Sequence, residues 1–392
     1  MRAFLDSQKS PDNSSNGSHG HEPPASLREL AAEAGVEFNG DSIWDIQVHD
    51  PAVYSMTLTR GSLGFGEAYM KGLWDCRALD VMFTRMFAAG IPDKLKGWSR
   101  LPLFLKFIQH RFFNLQSSAR AFQVGEQHYD IGNDVFTAML DPGLNYSCGY
   151  WQDAENLEQA QENKVDLICR KLQLKPGEKV LDIGCGWGAL AIHAASHYGV
   201  EVTGITVSKQ QQEYALKHSK GLPVDIILTD YRDLTGSFDK IVSVGMFEHV
   251  GLKNYPVYFS KVNELLNDEG LFLLHTIGKD ISSHGADPWI DKYIFPNYAL
   301  PSARNIADVV EGIFLIEDWH NFGQDYDKTL MSWWNKFDQA WDFLSANYDR
   351  VFYRMWKFYL LSCAGFFRAR QGQLWQLVMS KRQRQAMYHS VR

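Results

Sequence analysis

The chain has 392 residues, a formal net charge of −7 and 45% apolar side chains, enough for two domains or for one domain with a large accessory part. Its five cysteines show no CxxC spacing and are odd in number, which argues against a disulfide framework or a zinc site and for a reducing cytoplasm. No window approaches the roughly 18 apolar residues of a membrane span, and the opening MRAFLDSQKSPDNSSNGSHGHEPPA lacks the apolar segment of a secretory signal.

The elements run in a readable order. Residues 1–25, rich in Ser, Asn, Gly, His and Pro, are expected to be a disordered tail. Residues 26–125 read as mostly short helices, the first in SLRELAAEAGV, where Ser26 and Glu29 form a capping box. Glycines in GSLGFGEAYMKGLWDC predict a turn feeding an amphipathic helix. From about residue 126 strands alternate with helices, the pattern of a mostly parallel, doubly wound sheet. KVLDIGCGWG (179–188), VEVTGITVS (200–208), VDIILTD (224–230), FDKIVSVGMF (238–247) and GLFLLHTIG (270–278) supply its strands. Ser208 and Gln211 cap the helix after the second strand. Residues 279–306 are too long and too aromatic for a simple connection and read as a lid or pocket wall.

Charge is uneven along this order. Lys94, Lys96, Arg100, Lys106, Arg111 and Arg120 form a run without an acid, and the nine basic residues from Arg350 onward form another. Both are interleaved with bulky apolar groups. They read either as solvated helix faces or as contacts with an anionic lipid surface, where each basic residue contributes roughly 1 kcal/mol. The acidic remainder disfavours nucleic acid.

The turn D-I-G-C-G-W-G places Asp182, Gly184, Gly186 and Gly188 at the end of a strand, one residue short of a dinucleotide fingerprint. It resembles the first motif of Rossmann-like methyltransferases, which bind S-adenosylmethionine. The glycines admit the adenosyl and methionine groups, Asp182 sits near the cofactor's amino end, and Trp187 shields the cofactor or packs on the helix. In LTDYRDL, Asp230 is placed to accept from the adenine amino group and Tyr231 to stack on the ring, with Arg232 beside them. The second strand ends without the usual ribose-gripping acid, and Thr206 and Gln211 stand in for it. Cys185 reads as turn packing.

The adjacent Glu248–His249 pair asks which proton a carboxylate serves there. Methylating an alkene carbon leaves a carbocation, which needs a base and unreactive aromatic walls contributing about 0.5–2 kcal/mol each by cation–π attraction. The 24 Phe, 17 Tyr and 12 Trp suit such walls. HYDIGNDVFTAMLDPGLNYSCGYW, LDIGCGWG, VSVGMFEHVG, FLLHTIG and EDWHNFGQDYDKTLMSWW, in this order, resemble the cyclopropane-fatty-acyl-phospholipid synthases, relatives of the mycolic acid cyclopropane synthases. The resemblance covers roughly residues 26–390 and includes an N-terminal part that mycolic relatives lack.

The resemblance implies that bicarbonate is the base, held by Glu248, His275, Tyr326, the backbone of Ile277 and the amide of Cys148. Glu248 would accept the bicarbonate O–H while His275 and Tyr326 donate to the ion. Tyr146 and Ser147 match cofactor-contacting positions, and Cys363 matches a cysteine linked to the active site. The residues themselves assign Cys363 core packing, His249 a structural place and Cys148 a place in the site wall.

The expectation is an α/β enzyme of the Rossmann-like methyltransferase fold (126–392), preceded by a smaller helical domain (26–125) that docks on the membrane. It would be cytoplasmic and peripheral on the inner face of the membrane. It would use S-adenosylmethionine, and no metal, to cyclopropanate a cis-unsaturated acyl chain of a bilayer phospholipid. Self-association as a homodimer would place two docking faces on one bilayer. Three alternatives stand: a lipid methyltransferase that stops at a methyl branch, a small-molecule N-methyltransferase, and a lipid-binding protein with a vestigial fold.

Overall fold

The computed structural model describes residues 22–96, 132–282 and 285–392. The tail 1–21 and most of the first basic run therefore lie outside the described residues, as does the expected boundary near residue 125.

The N-terminal part is helical as expected: α1 (Ala25–Glu33), α2 (Ala52–Met70), α3 (Leu79–Ala88) and α4 (Ile91–Lys96). A short antiparallel pair, β1 (Gln47–Val48) with β2 (Trp74–Asp75), braces them. The Ser26–Glu29 capping box does not form. Pro24 occupies the cap position with no side-chain cap bond, so Ser26 already lies inside the first turn. The expected glycine turn is a kink within α2, where Gly61 leaves helical geometry at φ 56 and ψ −135. Gly64 is required just beyond it, because a Cβ there would lie 1.9 Å from the Met56 carbonyl oxygen.

After α5 (Asn133–Met139) and α6 (Leu157–Lys171), the expected strands follow: β3 (Lys179–Ile183), β4 (Glu201–Thr206), β5 (Val224–Leu228), β6 (Phe238–Val244) and β7 (Leu266–Lys279). Between them come α7 (Ala189–Tyr198), α8 (Lys209–His218) and α9 (Tyr255–Leu265). Ser208 caps α8 by accepting from Gln211 N, as its spacing predicts.

Next come α10 (Pro288–Tyr293), α11 (Ala303–Val310), β8 (Phe314–Asn321), α12 (Asp325–Gln339), α13 (Trp341–Leu344), α14 (Arg350–Arg368) and β9 (Gly372–Lys381). The seven-stranded sheet has the order β5-β4-β3-β6-β7-β9-β8, parallel through β7 and antiparallel where β9 meets β7 and β8. The order in which strands are added reverses between the parallel neighbours β3 and β6, so a crevice opens at their carboxyl ends, where open α/β sheets take their ligands.

Leu27, Trp74 and Phe83 of the N-terminal part share one apolar cluster with Phe136, Trp333, Trp356 and Phe358. The helical part therefore has no separate core of its own.

Several cations of the two basic runs are engaged in ion pairs within the fold. Arg354 pairs with Asp75 at 2.8 Å, Arg368 with Asp80 at 2.6 Å and Asp327 at 2.8 Å, and Arg392 with Asp318 at 2.6 Å. Lys94 of the first run pairs with Glu33. Of their partners, Asp318 is buried and Asp80 and Asp327 are largely so, whereas Asp75 and Glu33 are exposed. Among the described residues no helix is long and apolar enough to cross a membrane.

Candidate active site

The end of β3 opens into the glycine turn. Gly184, Gly186 and Gly188 all adopt positive φ, at 81, 55 and 87 degrees, the region that costs other residues most. At Gly184 a Cβ would lie 2.7 Å from the Met246 side chain. A cavity of about 830 Å³ begins at this turn, and Tyr146, Ser147, Asp182, Gly184, Gly186 and Trp187 line it. Gly188 stands behind the wall, where its lack of a side chain lets α7 approach Ala215 of α8, 3.0 Å from a would-be Cβ. Its lack of a side chain serves helix packing.

Asp182 is buried, and desolvation raises its carboxyl to about 7 despite the opposing cation of Lys164. That lysine was missed in the sequence. Its ammonium is 1% exposed, donates to Asn145 Oδ1 at 2.9 Å and Ser147 Oγ at 2.8 Å, and is lowered to about 8, chiefly by burial. It fixes the Tyr146–Ser147 segment against α6. The signal was present: Ala160, Gln161, Lys164, Val165 and Ile168 share the buried stripe of α6, so a lysine stands on an apolar face.

At the end of β4, Thr206 Oγ1 donates to Gln211 Oε1 at 2.8 Å, which ties Gln211 to the cavity wall. Asp230 also lines the cavity, but Arg232 holds its carboxylate through two contacts of 2.7 Å. Tyr231 packs edge-on against Tyr258, ring centroids 5.2 Å apart, and lines the wall as well.

Beyond β6, Glu248 lies in a single 3₁₀ turn, Phe247–His249. Its Oε1 accepts from Ile277 N at 2.6 Å, while Oε2 is buried and makes no hydrogen bond among the described residues. Burial raises this carboxyl to about 7. Its backbone carbonyl accepts from Ala299 N at 2.8 Å, which fastens the 279–306 segment to the site. Asp287, Trp289, Phe295 and Tyr298 of that segment line the cavity, consistent with a pocket wall.

Tyr326, at the start of α12, also faces the cavity. Burial holds its phenol well above the usual range, followed by Cys148, Glu248, Tyr146 and Cys363, so these groups share one electrostatic neighbourhood. Tyr146 and Tyr359 meet hydroxyl to hydroxyl at 2.8 Å. Cys363 lines the cavity with its thiol pushed up to about 12 by burial, and burial also holds the Cys148 thiol well above the usual range, so neither offers a thiolate. His249 lines the cavity too, held neutral by burial at about 4.

Two expected site residues stand back from this wall. The Cys148 side chain is buried, with its thiol 3.9 Å from Thr329 Oγ1, and His275 is buried within β7. The Nε2 atom of His275 makes no hydrogen bond among the described residues. Each of these two buried atoms, Oε2 of Glu248 and Nε2 of His275, is left able to take a further hydrogen-bond partner.

The far end of the cavity is apolar. Leu27, Leu30, Phe83 and Met86 come from the N-terminal helices, and Phe358 and Phe366 come from α14. Arg60, at the α2 kink, adds a charged group whose guanidinium pairs with Glu67.

Comparison with known proteins agrees with this geometry. Residues 116–377 match the family described as mycolic acid cyclopropane synthetase. The cyclopropane-fatty-acyl-phospholipid synthase of Escherichia coli K12 is 53% identical over 353 residues, 90% of this chain and 92% of that protein. The cyclopropane synthase MmaA2 from Mycobacterium tuberculosis superposes with a TM-score of 0.63 at 29% identity, covering 66% of this chain and 98% of that one. Mycolic acid cyclopropane synthase CmaA1, solved with SAH and CTAB, gives 0.62 at 32% identity, over 66% of this chain and 98% of that one. The chain belongs to the cyclopropane synthase family of S-adenosylmethionine-dependent methyltransferases and is an enzyme of the cyclopropane-fatty-acyl-phospholipid synthase type.

Proposed function

We propose that the enzyme adds a methylene group from S-adenosylmethionine across the cis double bond of an unsaturated phospholipid acyl chain, with bound bicarbonate as the base. The observation that carries this reading is one cavity lined together by a glycine turn, by a buried carboxylate with one oxygen unpaired among the described residues, and by apolar side chains of the N-terminal helices and α14. A small polar acceptor would need no such apolar lining. An acyl chain would, because each CH₂ kept from water contributes about 0.8 kcal/mol.

Tyr146, Ser147, Asp182, Gly184, Gly186, Thr206, Gln211 and Asp230 would hold the cofactor, with Lys164 fixing the first two. Methyl transfer to one alkene carbon leaves a cation on its neighbour. Tyr146, Phe295, Tyr326 and Tyr359 present aromatic faces or edges to this space and exclude water that would trap it. Bound bicarbonate supplies the base that removes a proton from the new methyl group, and ring closure follows. Glu248 would anchor that ion through its free oxygen, the Tyr326 hydroxyl and the His275 imidazole would donate to it, and the Cys148 amide completes the set. The protein would work from the aqueous side of a membrane, docked through its N-terminal part.

Purified protein, S-adenosylmethionine and vesicles of unsaturated phospholipid, with and without added bicarbonate, test the proposal. Acyl products gaining one CH₂ with upfield ring protons, dependent on bicarbonate, support it. A methylated chain without a ring moves the protein to methyl-branch chemistry. No lipid product despite cofactor binding overturns the lipid reading. Full turnover in Glu248→Gln and Tyr326→Phe overturns the assignment of the base-holding residues.

A further inference from the structure

β9 brings one polar side chain to the back of the site. Gln376 is fully buried in the middle of the sheet, paired in register with His275 of β7 on one side and His320 of β8 on the other. Its Nε2 lies 3.2 Å from His275 Nδ1, although the two residues are 101 positions apart. The other end of each group is unpaired, since neither Gln376 Oε1 nor His275 Nε2 makes a hydrogen bond among the described residues. Burial, then the ammonium groups of Lys164 and Lys171, keep the imidazole neutral. A neutral imidazole has one proton, and the partner of Nδ1 decides which nitrogen carries it. With the Gln376 amide donating to Nδ1, the proton stands on Nε2. With the amide turned over, its carbonyl would accept from Nδ1–H and Nε2 would present a lone pair. An unpaired amide oxygen in a sheet interior is costly, and a leucine there would avoid that cost, so the glutamine calls for a role beyond packing.

We infer that Gln376 is a positioning residue: its side-chain amide donates to His275 Nδ1, so that His275 offers an Nε2–H donor to the oxyanion held beside Glu248. The inference rests on the bicarbonate reading above. It explains why a histidine one layer behind the cavity wall can act there as a fixed donor, which a freely exchanging tautomer could not.

Nuclear magnetic resonance of the full-length protein with isotopically labelled histidine reads the tautomer directly, the His275 signals being assigned by their loss in His275→Gln. The wild type should show a neutral, Nε2-protonated ring. Gln376→Leu should give mixed tautomers and weaken saturable binding of labelled bicarbonate about five- to tenfold. Gln376→Glu, whose carboxylate only accepts, should move the proton to Nδ1 and abolish bicarbonate binding. In both variants S-adenosylmethionine affinity by calorimetry should stay unchanged, which separates positioning from general loss of structure. An Nδ1-protonated ring in the wild type overturns the inference, as does unaltered tautomer and bicarbonate affinity in both variants. The two failures are distinguishable. Absence of saturable bicarbonate binding in the wild type overturns the bicarbonate reading, whereas normal bicarbonate binding with an Nδ1-protonated ring overturns the role of Gln376 alone.

Discussion

Replacing Glu248 with Gln should strengthen the fold and remove the activity, and both effects have one cause. Oε1 of the carboxyl accepts from Ile277 N at 2.6 Å, and Oε2 is buried without a hydrogen-bond partner among the described residues. Burial raises it from an ordinary 4.5 to about 7. Between those values the folded chain keeps a proton that the unfolded chain has released, so stability falls as pH rises through the window and stays lower above it. At one pKa unit per 1.36 kcal/mol, the loss is roughly 3 kcal/mol by pH 8. Glutamine keeps the acceptor for Ile277 N and carries no charge. Urea denaturation should therefore show Glu248→Gln more stable than wild type by about 2–3 kcal/mol at pH 8, with the two converging near pH 4. The same variant should form cyclopropane lipid at least about 100-fold more slowly, because an amide cannot anchor the base as a carboxylate does. Equal stability of the two proteins at pH 8 would refute the reasoning, since it would mean the folded chain bears no buried charge there.

Other substitutions probe the rest of the cavity. Gly66→Ala places a Cβ 2.4 Å from Trp289 Cδ1, where α10 is also tied to α2 by Lys292 and Tyr293 donating to Glu67. It should cost about 1–3 kcal/mol by overpacking and lower lipid turnover while leaving cofactor affinity intact, as read by denaturation and calorimetry. Lys164→Met removes the donors to Asn145 and Ser147 and the cation that opposes the rise of Asp182. Calorimetry should find cofactor binding about tenfold weaker, with its acid limb moved to higher pH because Asp182 then ionises later. Gly184→Ala puts a side chain at φ 81 and a Cβ against Met246, so binding should weaken and stability fall by about 1–2 kcal/mol.

The five parallel strands were readable because each is a short apolar run, four of them closed by Gly or Asp and β4 by the Ser208 helix cap, and no distant partner is needed to see that. β8 and β9 were not readable. β9 pairs with β7 and β8 through register contacts that span many residues, and its buried Gln376 and Ser380 break the apolar pattern that marks a central strand. The ion pairs of the second basic run were hidden for the same reason. Arg368 meets Asp327 at a separation of 41 residues and Asp80 at 288, and Arg392 meets Asp318 at 74, so a local count of charge sees cations without their partners. In the site, the glycine turn and Glu248 stood out because their residue types are unusual where they occur. Lys164 and Gln376 were overlooked because a single polar residue inside an apolar stripe is ordinarily read as tolerated by the core.

The apolar part of the cavity left its trace only in composition. It is walled by Leu27 and Phe83 from one end of the chain and by Phe358 and Phe366 from the other. No short window contains both sides of it. The surplus of aromatic residues is the part of this that survives in the sequence, since rings facing an unfilled space are extra to those that fill the core. The joint wall also bears on energetics. Drawing an acyl chain from a bilayer into a wet groove would cost about 0.8 kcal/mol per CH₂, more than 10 kcal/mol for a chain of ordinary length. On the proposed reading, apolar walls on both sides would make that transfer close to neutral, and the N-terminal helices would then serve the acyl chain as well as any contact with a membrane.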